Sequence, residues 1–306
     1  MSKFLNCLVP CSAYGQGVMP VNLTVYGQTD VGLVRKANED AFVIANLTER
    51  TLVESQRAER IEVGDCGVLL AVSDGMGGHK AGDVASALVV ESLRSAMEDQ
   101  PEGMACEALI EKAVEKANHE VWEAARVPGH ERMGATVTAL FVHGASAYIA
   151  EVGDSRAYLL RGNTVTQVTH DQSYVQLLID AGAITPDQAW QAPMRNVILQ
   201  AMGQGPDVTV ALARLELRQH DCLLLCSDGL SNELTADEMR RVVLDTSLIN
   251  AAGSRLVELA RQHGGNGNVT VVLGALSGDL PALDPTEGVA QTLEVLKEFR
   301  GPKASA

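Results

Sequence analysis

No stretch of this sequence approaches the roughly 18 consecutive apolar residues that a membrane-spanning helix needs, so a spanning helix is excluded. Basic residues are scarce: 24 Lys and Arg stand against 39 Asp and Glu, a net charge of −15, and they are scattered rather than clustered. So acidic a chain, lacking a basic patch, repels nucleic acid and anionic membrane surfaces. We therefore expect no nucleic-acid partner and no membrane insertion. A cation site would sit naturally in such a field. The six cysteines, at 7, 11, 66, 106, 222 and 226, include no CxxC pair, which removes a zinc ribbon. Cys222 and Cys226 lie in an apolar run and read as buried reduced thiols of a cytoplasmic protein. The segment 4–9 is too short and too broken for a signal sequence, and Pro10 stands where a lipidation box before Cys11 would want a small residue. Residues 1–22 are expected to be a flexible leader.

Hydrophobic residues make up 46% of the chain and charged ones 21%, enough apolar material for a packed core. No linker breaks the sequence between the leader and about residue 276, so one domain is expected over 23–276. A tail should follow over 277–306, with a short helix near 286–299. Val68-Leu69-Leu70-Ala71-Val72 is a buried strand that ends in the turn Ser73-Asp74-Gly75. Helical spacing covers 80–99 and 103–126. Three strand-like runs then follow closely, 135–143, 145–152 and 155–161, with Gly144 and Gly153-Asp154 between them. Helices are expected at 172–182, 186–192, 235–244 and 247–263. Further strands are expected at 23–30, 41–46, 208–217, 221–226 and 268–275. Strands joined by tight turns pair antiparallel, and helices between the runs would cover the sheets.

Five short segments carry the chemistry. Arg35-Lys36-Ala37-Asn38-Glu39-Asp40 sits between two strands; alone it reads equally as a solvated charged turn. Ser73-Asp74-Gly75-Met76-Gly77-Gly78-His79 places a carboxylate at a strand's end, with glycines that let backbone carbonyls approach a ligand. A plain turn with an Asx bond is the competing reading. Val152-Gly153-Asp154-Ser155-Arg156 has the composition of a hairpin turn. Ser227-Asp228-Gly229 repeats the apolar-strand-then-Asp pattern, and Gly264-Gly265-Asn266-Gly267-Asn268 leads into the last strand. Carboxylates at several strand ends, with no Cys/His cluster, favour Mg²⁺ or Mn²⁺ over Zn²⁺. Carboxylates brought close together repel unless divalent ions sit among them. Two such ions about 3.5–4 Å apart activate a bridging water for attack on phosphorus. An arginine beside them, Arg35, would hold phosphate oxygens in its fork.

In combination and order, these segments, with Gly134-Ala135-Thr136 and Asn268-Val269-Thr270-Val271-Val272, resemble the metal-dependent Ser/Thr protein phosphatases of the PP2C or PPM family in their compact bacterial form. The resemblance covers about residues 23–276. It implies an α+β fold, a four-layer αββα sandwich of two antiparallel β-sheets flanked by helix pairs, with metals in a cleft at one end. It implies that Asp74 bridges two metals, the Gly75 carbonyl binds the second and Asp228 binds the first. Glu39 and Asp40 would order metal-bound waters, and Asp154 with Asp228 would hold a third ion. Arg35 would hold the substrate phosphate. The implied cofactors are two Mn²⁺ or Mg²⁺ ions, with a third. The implied partners are phosphorylated proteins, with a Ser/Thr kinase and its targets.

Three positions depart from the family pattern. Gly267 stands where the last metal aspartate is expected, a vacated ligand position of the first metal that Asn266 could fill only with a neutral oxygen. Met76 stands where animal members carry a histidine, as in bacterial forms, and His79 is expected to order its loop. Gln172 stands where many bacterial relatives have His; it opens a flap over 171–196, closed by Arg195-Asn196, which would touch substrate or the third ion. The remaining histidines and Trp122 and Trp190 read as structural or surface residues. The expected activity is hydrolysis of phosphoserine and phosphothreonine on proteins. The alternatives are a pseudophosphatase or reduced-activity variant with a weakened first metal site, an acidic metal-binding structural domain, and a relative acting on anti-sigma antagonist proteins.

Overall fold

A computed structural model describes residues 20–77, 81–99, 103–130, 133–189, 192, 194–284 and 286–301. The chain runs through β1 (Asn22–Asp30), β2 (Asp40–Asn46), β3 (Thr51–Leu52), β4 (Glu59–Glu62) and β5 (Val68–Met76). The helices α1 (Gly82–Glu98) and α2 (Cys106–Ala125) follow, then β6 (Gly134–Ala135), β7 (Val137–His143), β8 (Ser146–Val152), β9 (Arg156–Arg161) and β10 (Thr164–Gln167). After α3 (Tyr174–Asp180) and α4 (Pro186–Ala189) come β11 (Ala211–Glu216), β12 (Cys222–Cys226) and α5 (Asp228–Ser231). The chain continues through α6 (Ala236–Asp245), α7 (Ile249–His263), β13 (Val269–Ser277) and β14 (Leu293–Lys297).

The strands form two antiparallel sheets. One has the order β10-β9-β12-β13-β1-β4; the other runs β14-β11-β8-β7-β5-β2-β3, with β6 paired to β5. Three apolar layers hold the sandwich together. β5 shows how one strand serves two of them, because side chains alternate across a strand. Leu69 and Ala71 face α1 and α2 with Val89, Leu93, Ile110 and Val114. Val68, Leu70 and Val72 face the other sheet with Leu23, Leu225 and Val272. The third layer packs α6 and α7, through Met239, Leu256 and Ala260, on Leu224, Val271 and Leu273. With both faces covered, β5 reads as a continuous apolar run. The result is the expected α+β sandwich in four layers.

Helix ends follow local chemistry. Thr235 and Glu238 make a reciprocal capping box at the start of α6, and Gly264, at φ +153°, stops α7 after Arg261 and His263. The expected helix over 286–299 is instead a 3-10 turn at Val289–Gln291 followed by β14. That edge strand pairs with β11, so the sheet extends beyond the boundary expected at 276. Side-chain bonds tie down both ends of that strand. Arg161, buried, donates to Asp221 Oδ1 (2.9 Å) and Oδ2 (2.7 Å), and to Thr292 Oγ1 (2.7 Å), just before β14. At its far end, Lys297 pairs with Glu111 of α2 at 2.5 Å. The short strands β3, β4 and β10 were also not expected; each is two to four residues at or near a sheet edge. Cys226 is buried as expected, but Cys222 is only half-buried; both are free thiols.

The leader expected over 1–22 lies outside the described residues up to 19, and β1 starts at Asn22. His79 and Trp190 also lie outside the described residues. Among those described, no helix is long and apolar enough to cross a membrane.

Candidate metal and phosphate site

The site forms where the sheets present strand ends to one another. In the β2–β5 ladder Asp40 stands directly opposite Asp74. Asp228 opens α5 immediately after β12, and Asp154 sits in the turn between β8 and β9. Hydroxyls hold Asp40 and the Asp74 backbone, and Asn232 Nδ2 donates to Asp228 Oδ2 at 3.0 Å.

Asp40 is buried. Its Oδ2 accepts bonds from Ser227 Oγ (2.6 Å) and Thr270 Oγ1 (2.7 Å), both on the opposite sheet, while its Oδ1 is buried with no partner. Glu39 sets its carboxylate against Gly82 at the start of α1, next to Gly75. The Asp74 backbone N–H donates to Thr136 Oγ1 (2.9 Å), and Thr136 N–H donates back to Asp74 O (2.8 Å). Thr136 Oγ1 also bonds Ser155 Oγ at 2.7 Å, so one threonine ties the Asp74 strand end to the Asp154 turn. Gly75 is required for a close approach: a Cβ there would lie 2.0 Å from Gly82 O and 2.5 Å from Glu39 O.

Gln172 clamps the Asp154 turn. Its Oε1 accepts from Gly153 N–H (3.0 Å), its Nε2 donates to Glu151 O (3.0 Å), and its own N–H donates to Gly153 O (2.8 Å). Beside it, Arg156 donates to both oxygens of buried Asp171, at 2.8 and 2.6 Å. Asn268 does the same for the Arg35 loop. Its Nδ2 donates to Val31 O (3.0 Å) and Ala37 O (2.9 Å), and its Oδ1 accepts from Glu39 N–H (2.9 Å). Arg35 itself is exposed on that loop.

The electrostatics show one interacting group. Burial first, then the charges of Asp40, Asp228 and Asp154, pushes Asp74 well above the usual carboxylate range. Asp154 is pushed up to about 8 by burial and by Asp228 and Asp171. Asp40 is pushed up to about 7 by burial, offset in part by its two hydroxyl donors. Asp228 is raised by burial against a hydrogen bond with Asp74 and the positive charges of Arg35, Arg156 and Arg195. Asp74 and Asp228 face each other closely enough to share that bond. Among the described residues no three His, Cys, Asp or Glu side chains stand as a ready metal-holding group. Still, the donors fit a hard divalent cation. They are all oxygen, they carry more negative charge than the site can offset, and Asp40 Oδ1 is an orphaned buried acceptor.

A cavity of 290 Å³ opens beside this cluster, lined by Asp154, Arg156, Asp171, Arg195, Asp228 and Asn232 among others. Arg195 is thus brought to the site. Asn196 is exposed and is not part of that lining. Asn266 is turned away: its Nδ2 donates to Glu233 Oε1 at 2.8 Å. Gly267 differs from Gly75 and from Gly229, where a Cβ would lie 1.9 Å from Asn268 O. At Gly267 a Cβ meets nothing closer than 3.4 Å and comes 3.8 Å from Asp228 Oδ1. Sequence reasoning missed Ser227, Thr270 and Asp171 as holders of the site. A hydroxyl or carboxylate at a strand end beside a motif Asp was the signal available.

The sequence profile of the protein phosphatase 2C family matches residues 56–261. The chain belongs to the protein phosphatase 2C family. The serine/threonine protein phosphatase PstP of Mycobacterium tuberculosis is 38% identical over 276 residues, 82% of this chain and 52% of PstP. This chain therefore spans about half the length of that relative. The protein phosphatase PhpP of Streptococcus pneumoniae is 33% identical over 248 residues, 80% of this chain and 94% of PhpP. The crystal structure of M. tuberculosis PstP superposes with a TM-score of 0.72 at 36% identity, covering 84% of this chain and 99% of that one. The PstP catalytic domain in complex with two manganese ions gives a TM-score of 0.70 at 35% identity, with coverage of 84% and 99%. The PP2C assignment accounts for the two-sheet sandwich and for the motifs at its strand ends.

Proposed function

We propose that this PP2C chain is a divalent-metal-dependent protein phosphatase that hydrolyses phosphoserine and phosphothreonine, opposing a Ser/Thr kinase. The observation that carries this reading is the convergence of Asp40, Asp74, Asp154 and Asp228 on one cleft, with three arginine charges acting on Asp228. A purely structural turn cluster has no use for four mutually repelling carboxyls.

Asp74, the Gly75 carbonyl and Asp228 would hold two ions, Mn²⁺ or Mg²⁺, with Glu39 and Asp40 behind them and Asp154 with Asp228 at a third. When bound, such ions supply Lewis-acid stabilisation of a phosphoryl group and lower the pKa of water. The chain's own residues do the rest. Ser227 and Thr270 fix the Asp40 carboxyl by one oxygen and leave the other free. Asn268 fixes the loop that carries Arg35, whose planar fork matches phosphate oxygens. Arg195 lines the cavity beside Asp154 and Asp228, where the residues flanking a phosphorylated side chain would lie.

Gly267 bears on metal affinity. A side chain there has room and direction toward Asp228, and the chain supplies none. A neutral ligand in place of a carboxylate gives up one charge of attraction to a divalent ion. A first ion would then be held more weakly, which would raise the metal requirement without removing the cleft.

The test is release of phosphate from a phosphothreonine peptide with Mn²⁺, Mg²⁺ or Zn²⁺, and with Mn²⁺ plus excess chelator. Turnover with Mn²⁺ or Mg²⁺, lost in chelator and not restored by Zn²⁺, is expected. Full activity in chelator, or none at any Mn²⁺ concentration, contradicts the reading.

A further inference from the structure

Exposed large apolar side chains are few among the described residues, and five of the twelve lie within four residues of one of two arginines. Val31, Leu33 and Val34 lead up to Arg35, and Met194 and Val197 flank Arg195. Both arginines act on Asp228 by their charge, so both runs border the cleft. Apolar side chains exposed singly are ordinary, but an exposed group rimmed by charge marks a surface that another molecule covers.

Leu33 and Val34 are 59% and 63% exposed, although the loop that carries them is fixed. Gly32 takes φ +77°, and a Cβ there would lie 2.2 Å from Gly267 O. The N–H groups of Leu33 and Val34 both donate to Gly265 O, at 2.8 and 3.3 Å. The Asn268 amide holds Val31 O and Ala37 O on either side of the turn. Leu33 lies against Gly265, its Cγ 2.9 Å from where a Cβ would stand. The same 264–267 loop reaches the cleft at Gly267, beside Asp228. The two aliphatic side chains therefore stand as a fixed ledge on the Arg35 side of the cleft. A surface set before binding loses little conformational freedom when it is covered, so more of its apolar area counts toward affinity.

We propose that Leu33 and Val34 form a specificity surface for the substrate, binding a large aliphatic side chain within two residues of the phosphorylated one. The phosphatase reading supplies the place of the phosphate, and this surface rests on it. With the phosphoryl group on Arg35 and facing Asp228, an extended peptide advances about 3.3 Å per residue. Its nearest one or two side chains then lie over the residues that precede Arg35. A leucine, isoleucine or methionine there removes apolar surface from water on both partners. A serine leaves the ledge wet, and a carboxylate also enters the field of the four acids of the cleft.

The experiment uses the full chain with Mn²⁺ and two fluorescein-labelled phosphothreonine peptides, one with leucine and one with serine at the two positions on each side. Initial rates give kcat and KM where the peptides turn over, and anisotropy gives Kd where they do not. The leucine peptide is expected to have a KM or Kd about tenfold lower, with similar kcat, as partial burial of one aliphatic side chain implies. The double variant Leu33→Ser, Val34→Thr should bring that ratio below about threefold, chiefly by weakening the leucine peptide. Its Mn²⁺ binding and unfolding midpoint should be kept. If the double variant does not fold, Val34→Thr decides, because it exchanges one exposed methyl for a hydroxyl of the same shape; it should narrow the ratio about fourfold. Equal KM or Kd for the two peptides overturns the proposal, as does no saturable interaction with the leucine peptide. It is equally overturned if the preference survives in the variant that folds, or if both peptides weaken alike. A preference in binding without turnover upholds the surface and counts against the phosphatase reading instead.

Discussion

Among single residues, two glycines that lie beside Asp228 in space behave oppositely. Gly229 cannot gain a side chain without meeting Asn268 O, whereas Gly267 can, and its Cβ direction leads to Asp228. Gly267→Asp should therefore fold normally and lower the half-saturating Mn²⁺ concentration, read by calorimetry as well as by rate. Asn266→Ala should leave that concentration unchanged, since Asn266 is bonded to Glu233; a large loss there would show that its oxygen reaches the ion. Arg35→Ala should raise KM for a phosphopeptide by roughly tenfold, the value of a charge-assisted contact of about 1.5 kcal/mol, with a smaller change in kcat. An unchanged KM would remove Arg35 from phosphate binding. Glu151 supplies a pH signature. Its folded pKa is raised above the ordinary 4.5, so above that pH the folded chain holds more protons than the unfolded one. Stability then falls as pH rises from about 4.5 toward the folded pKa. Glu151→Gln has no proton to lose, and its unfolding midpoint should drop less than the parent's as pH rises above about 4.5. Parallel curves would refute a protonated buried Glu151.

Elements show which parts of the fold can be read locally. The inner strands were legible because their apolar runs end in Asp-Gly or Gly-Asp turns, as at Asp74 and Gly153. α1, α2, α6 and α7 were legible from helical spacing. β14 was not. Leu293-Glu294-Val295-Leu296-Lys297 has apolar residues at helical as well as strand spacing, and only ladder bonds to β11 and the bonds at its two ends make it a strand. The same contrast holds in the site. Asp74, Asp154 and Asp228 are visible in sequence because each sits beside a glycine at a strand end. Ser227, Thr270 and Asp171 are not, because their partners lie 187, 230 and 15 residues away. The Arg161–Asp221 pair, which joins β9, the turn before β12 and Thr292, is open to a direct test. Asp221→Ala leaves the buried guanidinium only Thr292, Glu216 O and Glu287 at 4.0 Å as partners, and should cost about 3 kcal/mol of stability. A loss below about 1 kcal/mol, the range of exposed pairs, would show that the pair does not hold the carboxy-terminal strand.

Over the whole molecule, two sheets carry between them one acidic cleft that neither contains alone. Asp40 and Asp74 come from the larger sheet and Asp228 from the end of the smaller, while Asp154 joins the two. Packing the sheets therefore concentrates charge, and the cluster is tolerable because a divalent ion can stand in it. That is the central claim, and Asp74→Ala tests it most directly. Mn²⁺ binding by calorimetry and phosphothreonine peptide turnover should be measured on the parent and the variant, beside thermal unfolding. The account predicts that the variant folds, loses most of its Mn²⁺ binding and loses turnover together. Mn²⁺ binding and turnover close to the parent's would contradict it.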